Sequence, residues 1–149
     1  MTNITKFRAR RIDNNRWVYG NYFQSPLTDE NSGTTLDKGW FFLSDGIKRH
    51  CIEQDNVCFV IDKLTIGQFT GQFDKNEKEI YEGDIMAYLR KDGIEIVKGY
   101  VNFERTGYKL IREELNTSWP LQGYAKRHYI IGNIYDNREL LSIIGSGDN

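Results

Sequence analysis

Two histidines and two cysteines supply all the imidazole and thiol chemistry of this 149-residue chain. Covalent catalysis needs a nucleophile held beside a positioned base. His50 follows Lys48 and Arg49, and His128 follows Lys126 and Arg127. Neighbouring cations disfavour the imidazolium, and both rings are expected at solvated strand ends. His50 and Cys51 are adjacent, so on a strand their side chains point to opposite faces. Cys51 and Cys58 fit neither a CxxC redox pair nor a four-ligand zinc site. Cys58 lies inside the apolar run Val57-Cys58-Phe59-Val60-Ile61 and is expected to be a buried free thiol, with no disulfide framework. Gly-x-Ser-x-Gly, HExxH and GxxxxGK[ST] are all missing from the sequence. The expectation is a non-enzymatic protein with no metal and no cofactor.

Carboxylates are denser. Asp74, Glu77, Glu79, Glu82 and Asp84 crowd one short segment without the spacing of an EF-hand. The structural reading is preferred: Asp74 opens a hairpin turn, Asp84 accepts backbone hydrogen bonds in the turn after Gly83, and Glu77 and Glu79 face water. Gly67, Gly71, Asp74, Asn76, Gly83 and Asp84 form the expected set of turn residues. A second pattern interleaves cations with rings at the N-terminus: Arg8, Arg10, Arg11, Arg16, Trp17 and Tyr19. Such a pattern pairs phosphates while stacking bases. A strand with its rings inward and its arginines outward produces the same alternation without a ligand.

The formal net charge of −1 hides an asymmetry. Residues 1–20 carry five basic side chains against the single acid Asp13, whereas residues 21–89 carry six basic against twelve acidic. The basic end can meet phosphate, an acidic partner, or the acidic middle of its own or a neighbouring chain. Composition is that of a globular chain: 39% hydrophobic, 28% charged, and rich in Tyr and Phe, which favours sheet. No apolar run approaches a membrane span and the first residues lack a signal-peptide core, so the expected location is the cytoplasm.

The elements that must position these groups read as short strands. Lys6–Arg10 and Trp17–Phe23 flank the Asp13-Asn14-Asn15 turn as an N-terminal hairpin. Residues 25–39 form a polar loop, and Trp40–Leu43 and 56–62 give further strands. The segment Thr65–Ile85 reads as a hairpin running into a new strand, followed by a hairpin around Lys91-Asp92-Gly93. Strands over 94–103, 107–111 and 129–135 follow, with 113–122 as an irregular excursion. Asn137, Leu140, Leu141, Ile144 and Gly145 have the spacing of one short, capped terminal helix. The expected architecture is mainly β. It comprises an N-terminal β subdomain (1–62) and a small SH3-like barrel domain (63–149) ending in a short C-terminal helix.

Three blocks resemble the YopX family of phage and prophage proteins. They are Lys6-Phe7-Arg8-Ala9 with Trp17-Val18-Tyr19-Gly20; Thr65–Gly71 with Asp74-Lys75-Asn76 and Lys78–Ile85; and Ile131–Tyr135 with Asn137 and Glu139-Leu140-Leu141. Two departures stand out. Glu77 occupies the place of an expected glycine, which would put Asn76 in the left-handed conformation, and Arg138 replaces a frequent proline. The resemblance implies a mainly β fold with an SH3-like barrel and a phage or prophage origin. It implies no activity. The functional expectation is a cytoplasmic phage accessory protein that self-associates and binds a host or phage protein. The alternative is nucleic-acid binding through the basic-aromatic hairpin.

Overall fold

The computed structural model describes residues 6–26 and 48–142. Most of the expected 25–39 loop, the Trp40–Leu43 strand, and Ile144 and Gly145 lie outside the described residues. The chain is mainly β, as its aromatic and β-branched content suggests. It divides into two compact units between Gln68 and Phe69, inside a strand rather than at the 62/63 boundary read from the sequence.

In the first unit, β1 (Phe7–Arg10), β2 (Trp17–Pro26), β3 (Lys48–Gln54) and β4 (Val57–Val60) make antiparallel neighbours in the order β4-β3-β2-β1. The first residues of β5 (Gly67–Phe73) lie along β1, with Arg8 opposite Gly67. β3 was not anticipated. Its consecutive Cys51 and Ile52 are both fully buried, one on each face of the strand. Cys51 packs with Cys58, Phe23 and Val60, while Ile52 packs with Ala9, Val18 and Ile61. Asp55 and Asn56, with φ of 53° and 67°, turn the chain from β3 into β4, as a two-residue primed turn requires. Gly20 is needed for space: a Cβ there would stand 1.9 Å from the Glu53 carbonyl oxygen. An isolated antiparallel bridge between Arg11 and Ile61 draws the two ends of the sheet together without closing it.

The second unit contains the rest of β5, then β6 (Glu79–Tyr81), β7 (Asp84–Leu89), β8 (Glu95–Glu104), β9 (Gly107–Arg112), β10 (Thr117–Pro120) and β11 (Tyr129–Asn133). Five of these form an antiparallel sheet in the order β10-β9-β8-β7-β11. Ile80, Met86, Val101, Leu110, Leu121 and Ala125 make its core. The expected SH3-like barrel is not found, because β10 and β11 remain the open edges of the sheet. β10, read from sequence as part of an irregular excursion, is four residues long and ends at Pro120. Proline has no N–H to extend a ladder, which suits an edge. The chain then contributes Leu121 and Ala125 to the core through a turn and a 3-10 helix at Ala125–Arg127, not through a closing strand.

The hairpin turn at 74–78 is organised by Asp74, which is fully buried. Its Oδ1 accepts from the Asn76 and Lys78 N–H groups at 2.8 and 2.9 Å, and its Oδ2 accepts from Ile130 N–H on β11 at 3.0 Å. The left-handed residue of this turn is Glu77, at φ 63°, and not Asn76. Asn76 is committed to the Asp74 carboxylate through its N–H, so the strain passes to the next residue. Gly67 begins a strand instead of making a turn, and Gly71, at φ 84°, lies where the β5–β6 register shifts. Gly83 adopts φ 92°, and Asp84 Oδ2 accepts from Tyr81 N–H at 2.7 Å. A 3-10 helix spans Arg138–Ser142. Asn137 does not cap it through its side chain; Oδ1 accepts from Asn133 N–H instead, in space that a Cβ on Gly132 would fill.

β7 and β8 carry a bulge. Met86 faces Gly99 and Ala87 faces Val97, leaving Lys98 as the extra residue. A bulge bends its strand and re-aims the inserted side chain. The buried Arg112 guanidinium buttresses this kink by donating to the Val97 carbonyl and to Glu114 Oε2.

Candidate functional site

The N-terminal hairpin brings its cations onto rings of the same unit. Alternation along β1 puts Arg8 and Arg10 on one face, and the β1–β2 register sets Arg10 opposite Trp17. The Arg8 and Arg10 guanidinium carbons lie 4.8 and 5.4 Å from the Trp17 ring centroid. Arg8 is itself buried. Both distances are those of ordinary cation–π contacts, and the two guanidinium groups take up ring surface that a base would need for stacking. Arg11 lies 4.5 Å over Phe59 and forms a two-toothed pair with Asp13, at 2.9 and 2.5 Å. Arg16 and Tyr19 are exposed, and Tyr19 N–H donates to Gln54 Oε1 at 2.7 Å.

Beside this hairpin lies an open cleft of about 400 Å³. Val60 and Ile61 supply its apolar lining; Arg11, Arg49, Lys63 and His50 supply its polar one. Ile12, 64% exposed, also lines the cleft. Asp62 is the acid of the lining, and its Oδ1 is engaged in capping the 3-10 helix Lys63–Thr65 through Leu64 N–H at 3.0 Å. Thr65, buried at the end of that helix, accepts from Arg10 N–H and donates to the Asp62 carbonyl, tying the cleft wall to β1. The cleft thus joins a cationic lining to apolar surface. Of the six residues singled out in the sequence, only Arg11 lines it. Arg49, Lys63 and Ile12 were missed because they come from β3, a 3-10 helix and a turn, none of which carries a periodic signal.

The two histidines are not at solvated strand ends. His50 is half-buried; its Nδ1 shares a 2.6 Å hydrogen bond with the Tyr22 hydroxyl, and the rings stack at 5.9 Å and 7°. His128 is buried in the second unit, with Nδ1 2.7 Å from the Tyr124 carbonyl oxygen. Its Nε2 is buried without a hydrogen-bond partner among the described residues. Burial lowers the His128 pKa, with Lys98 and Arg127 adding to the effect against the Tyr124 hydrogen bond. Because Nδ1 faces a carbonyl oxygen, that nitrogen carries a proton and donates, while burial disfavours the imidazolium form of the ring. Cys51 and Cys58 are buried thiols, and burial, followed by the neighbouring Cys58, pushes Cys51 up to about 12. A thiol held in that form is a poor nucleophile. Among the described residues, no three His, Cys, Asp or Glu side chains converge to hold a metal ion. No helix among them is long and apolar enough to cross a membrane.

A family model described as YopX protein matches residues 6–142. No curated protein matches the chain. Among solved structures, the crystal structure of protein EF1440 from Enterococcus faecalis is similar, at 25% sequence identity and a TM-score of 0.50. The likeness covers 94% of this chain and 99% of that one.

Proposed function

This chain belongs to the YopX protein family, and from that premise we propose that it is a phage or prophage accessory protein acting as a non-enzymatic interaction module in the bacterial cytoplasm. It self-associates and binds an acidic segment of a host or phage protein. The observation that carries this reading is the cleft of the first unit. Arg11, Arg49 and Lys63 surround apolar lining from Val60 and Ile61, and the exposed Ile12 adds greasy surface. Carboxylates answer the cations, and the apolar part rewards a partner that brings side chains as well as charge. A polynucleotide would use the cations but would find Trp17 already covered by Arg8 and Arg10. Self-association draws on the charge contrast between residues 1–20 and 21–89, which lets one copy offer the acidic segment that another receives.

Sedimentation at micromolar concentration across 50–500 mM salt tests the self-association, with Arg49→Glu/Lys63→Glu as the control. The native chain is expected to form oligomers that dissociate with salt, and the variant to be monomeric. A strict monomer in both removes self-association. Retardation of random single-stranded DNA that is tight, salt-dependent and lost in the same variant would replace the protein partner with nucleic acid.

A further inference from the structure

Lys98 is the residue that the β7–β8 bulge inserts, and its ammonium is surrounded by rings from three separate elements. The nitrogen lies 3.7 Å from the Trp119 centroid on β10, 5.2 Å from Tyr124 before the Ala125–Arg127 helix, and 5.8 Å from Tyr88 on β7. All three rings are half-buried. Ring faces carry negative quadrupole charge, and three of them aimed at one point favour a cation over any neutral group. Behind the rings stands His128, 5.3 Å from Tyr88 and edge-on, 5.7 Å from Tyr124, and bonded to the Tyr124 carbonyl. That packing fixes two of the three walls. Since burial disfavours the charged form of His128, it fixes them with little repulsion of a cation. Gly99, next to Lys98, is also required: a Cβ there would meet the Ile111 carbonyl oxygen at 2.3 Å. Bulge, glycine and Arg112 buttress together set where Lys98 points.

We propose that Tyr88, Trp119 and Tyr124 form an aromatic cage for an alkylammonium group, and that Lys98 occupies it as a tethered competitor of an external one. The cage lies in the second unit and is independent of the cleft. Arg127, 5.1 Å over Tyr124, covers that ring in addition and narrows access on its side.

The test is a titration with tetramethylammonium chloride, against sodium chloride at matched ionic strength, read by NMR on the Trp119 indole and, in every variant, on the Tyr88 and Tyr124 ring protons. Lys98→Ala is expected to show saturable shifts, the native chain at least ten-fold weaker ones, and Lys98→Ala/Trp119→Ala none. In the native chain, ring currents should place the Lys98 ε-protons upfield of their random-coil position, a readout that needs no variant to fold. Random-coil ε-proton shifts overturn the occupancy. Equal affinity in the native chain and Lys98→Ala overturns the competition. Saturable binding that survives Trp119→Ala, or no binding to a folded Lys98→Ala, overturns the cage.

Discussion

Asp74 is the position where a single substitution separates local from long-range effects. Its carboxylate accepts three backbone N–H groups, two within its own turn and one from Ile130. Hydrogen bonds to a charged group contribute about 1.5–3 kcal/mol each. The Asn76 and Lys78 donors sit in an exposed turn, where water replaces a lost acceptor at little cost. The Ile130 donor is on a half-buried strand and has no such substitute nearby. Asp74→Ala should therefore cost about 3–4 kcal/mol, well short of three full bonds. Asp74→Asn separates the contributions. One oxygen can still serve Asn76 and Lys78, but the amide NH2 then confronts the Ile130 N–H, donor against donor. That variant should cost about 2 kcal/mol, nearly all of it at the contact with β11. Urea unfolding gives the total, and native-state amide exchange gives its distribution. In Asp74→Asn, protection should fall at Ile130 and persist at Lys78. A loss under about 1 kcal/mol in Asp74→Ala, or unchanged Ile130 exchange in Asp74→Asn, would refute the assignment of the turn to this carboxylate.

Further outcomes follow from groups in unusual states. His128 has a folded pKa below its ordinary 6.5, so the unfolded chain binds its proton first. Its contribution to stability is intact above pH 6.5 and is lost as the pH falls through the folded value; the urea midpoint of the native chain should drop faster between pH 7 and 5 than that of His128→Gln. Glu77→Gly should stabilise the second unit by about 0.5–1 kcal/mol, since a left-handed φ of 63° strains any side chain and glycine is free of it; a lower thermal midpoint would contradict this. Cys51, pushed up to about 12, should present roughly one thiolate in ten thousand at pH 8. Ellman's reagent should label it only as fast as the first unit opens, and labelling faster than amide exchange at β3 would show that the thiol is accessible.

Much of this fold is legible in the sequence where period-2 alternation and turn chemistry agree. Glu79–Leu89 shows both, and β6, the turn at Gly83 and β7 follow in order. Legibility fails where a strand is covered on both faces or interrupted. β3 reads Lys-Arg-His-Cys-Ile-Glu-Gln, and its two adjacent buried residues break the alternation that marks a half-exposed strand. β10 was hidden by Pro120, which disqualifies a central strand but not the end of an edge. Open edges cannot be read from strand content, because closure depends on whether the first and last strands meet, and short strands are compatible with either result. The cleft was legible only in its Arg11 member. The Lys98 cage was not legible at all, since a bulge changes which residues share a face and leaves no mark on composition.

The Asp74 contact also bears on how the chain matures during synthesis. The hairpin that carries the clearest family signature is local, yet its central carboxylate waits for a donor 56 residues further on. At roughly 5–20 residues per second, that donor follows Asp74 from the ribosome about 3–11 s later. Through that interval the turn exists with a hydrated, half-satisfied acid and an unpaired β7 edge. The arrival of β11 both covers that edge and completes the turn. A chain truncated before Tyr129 should thus carry the whole signature hairpin and still lack its lock.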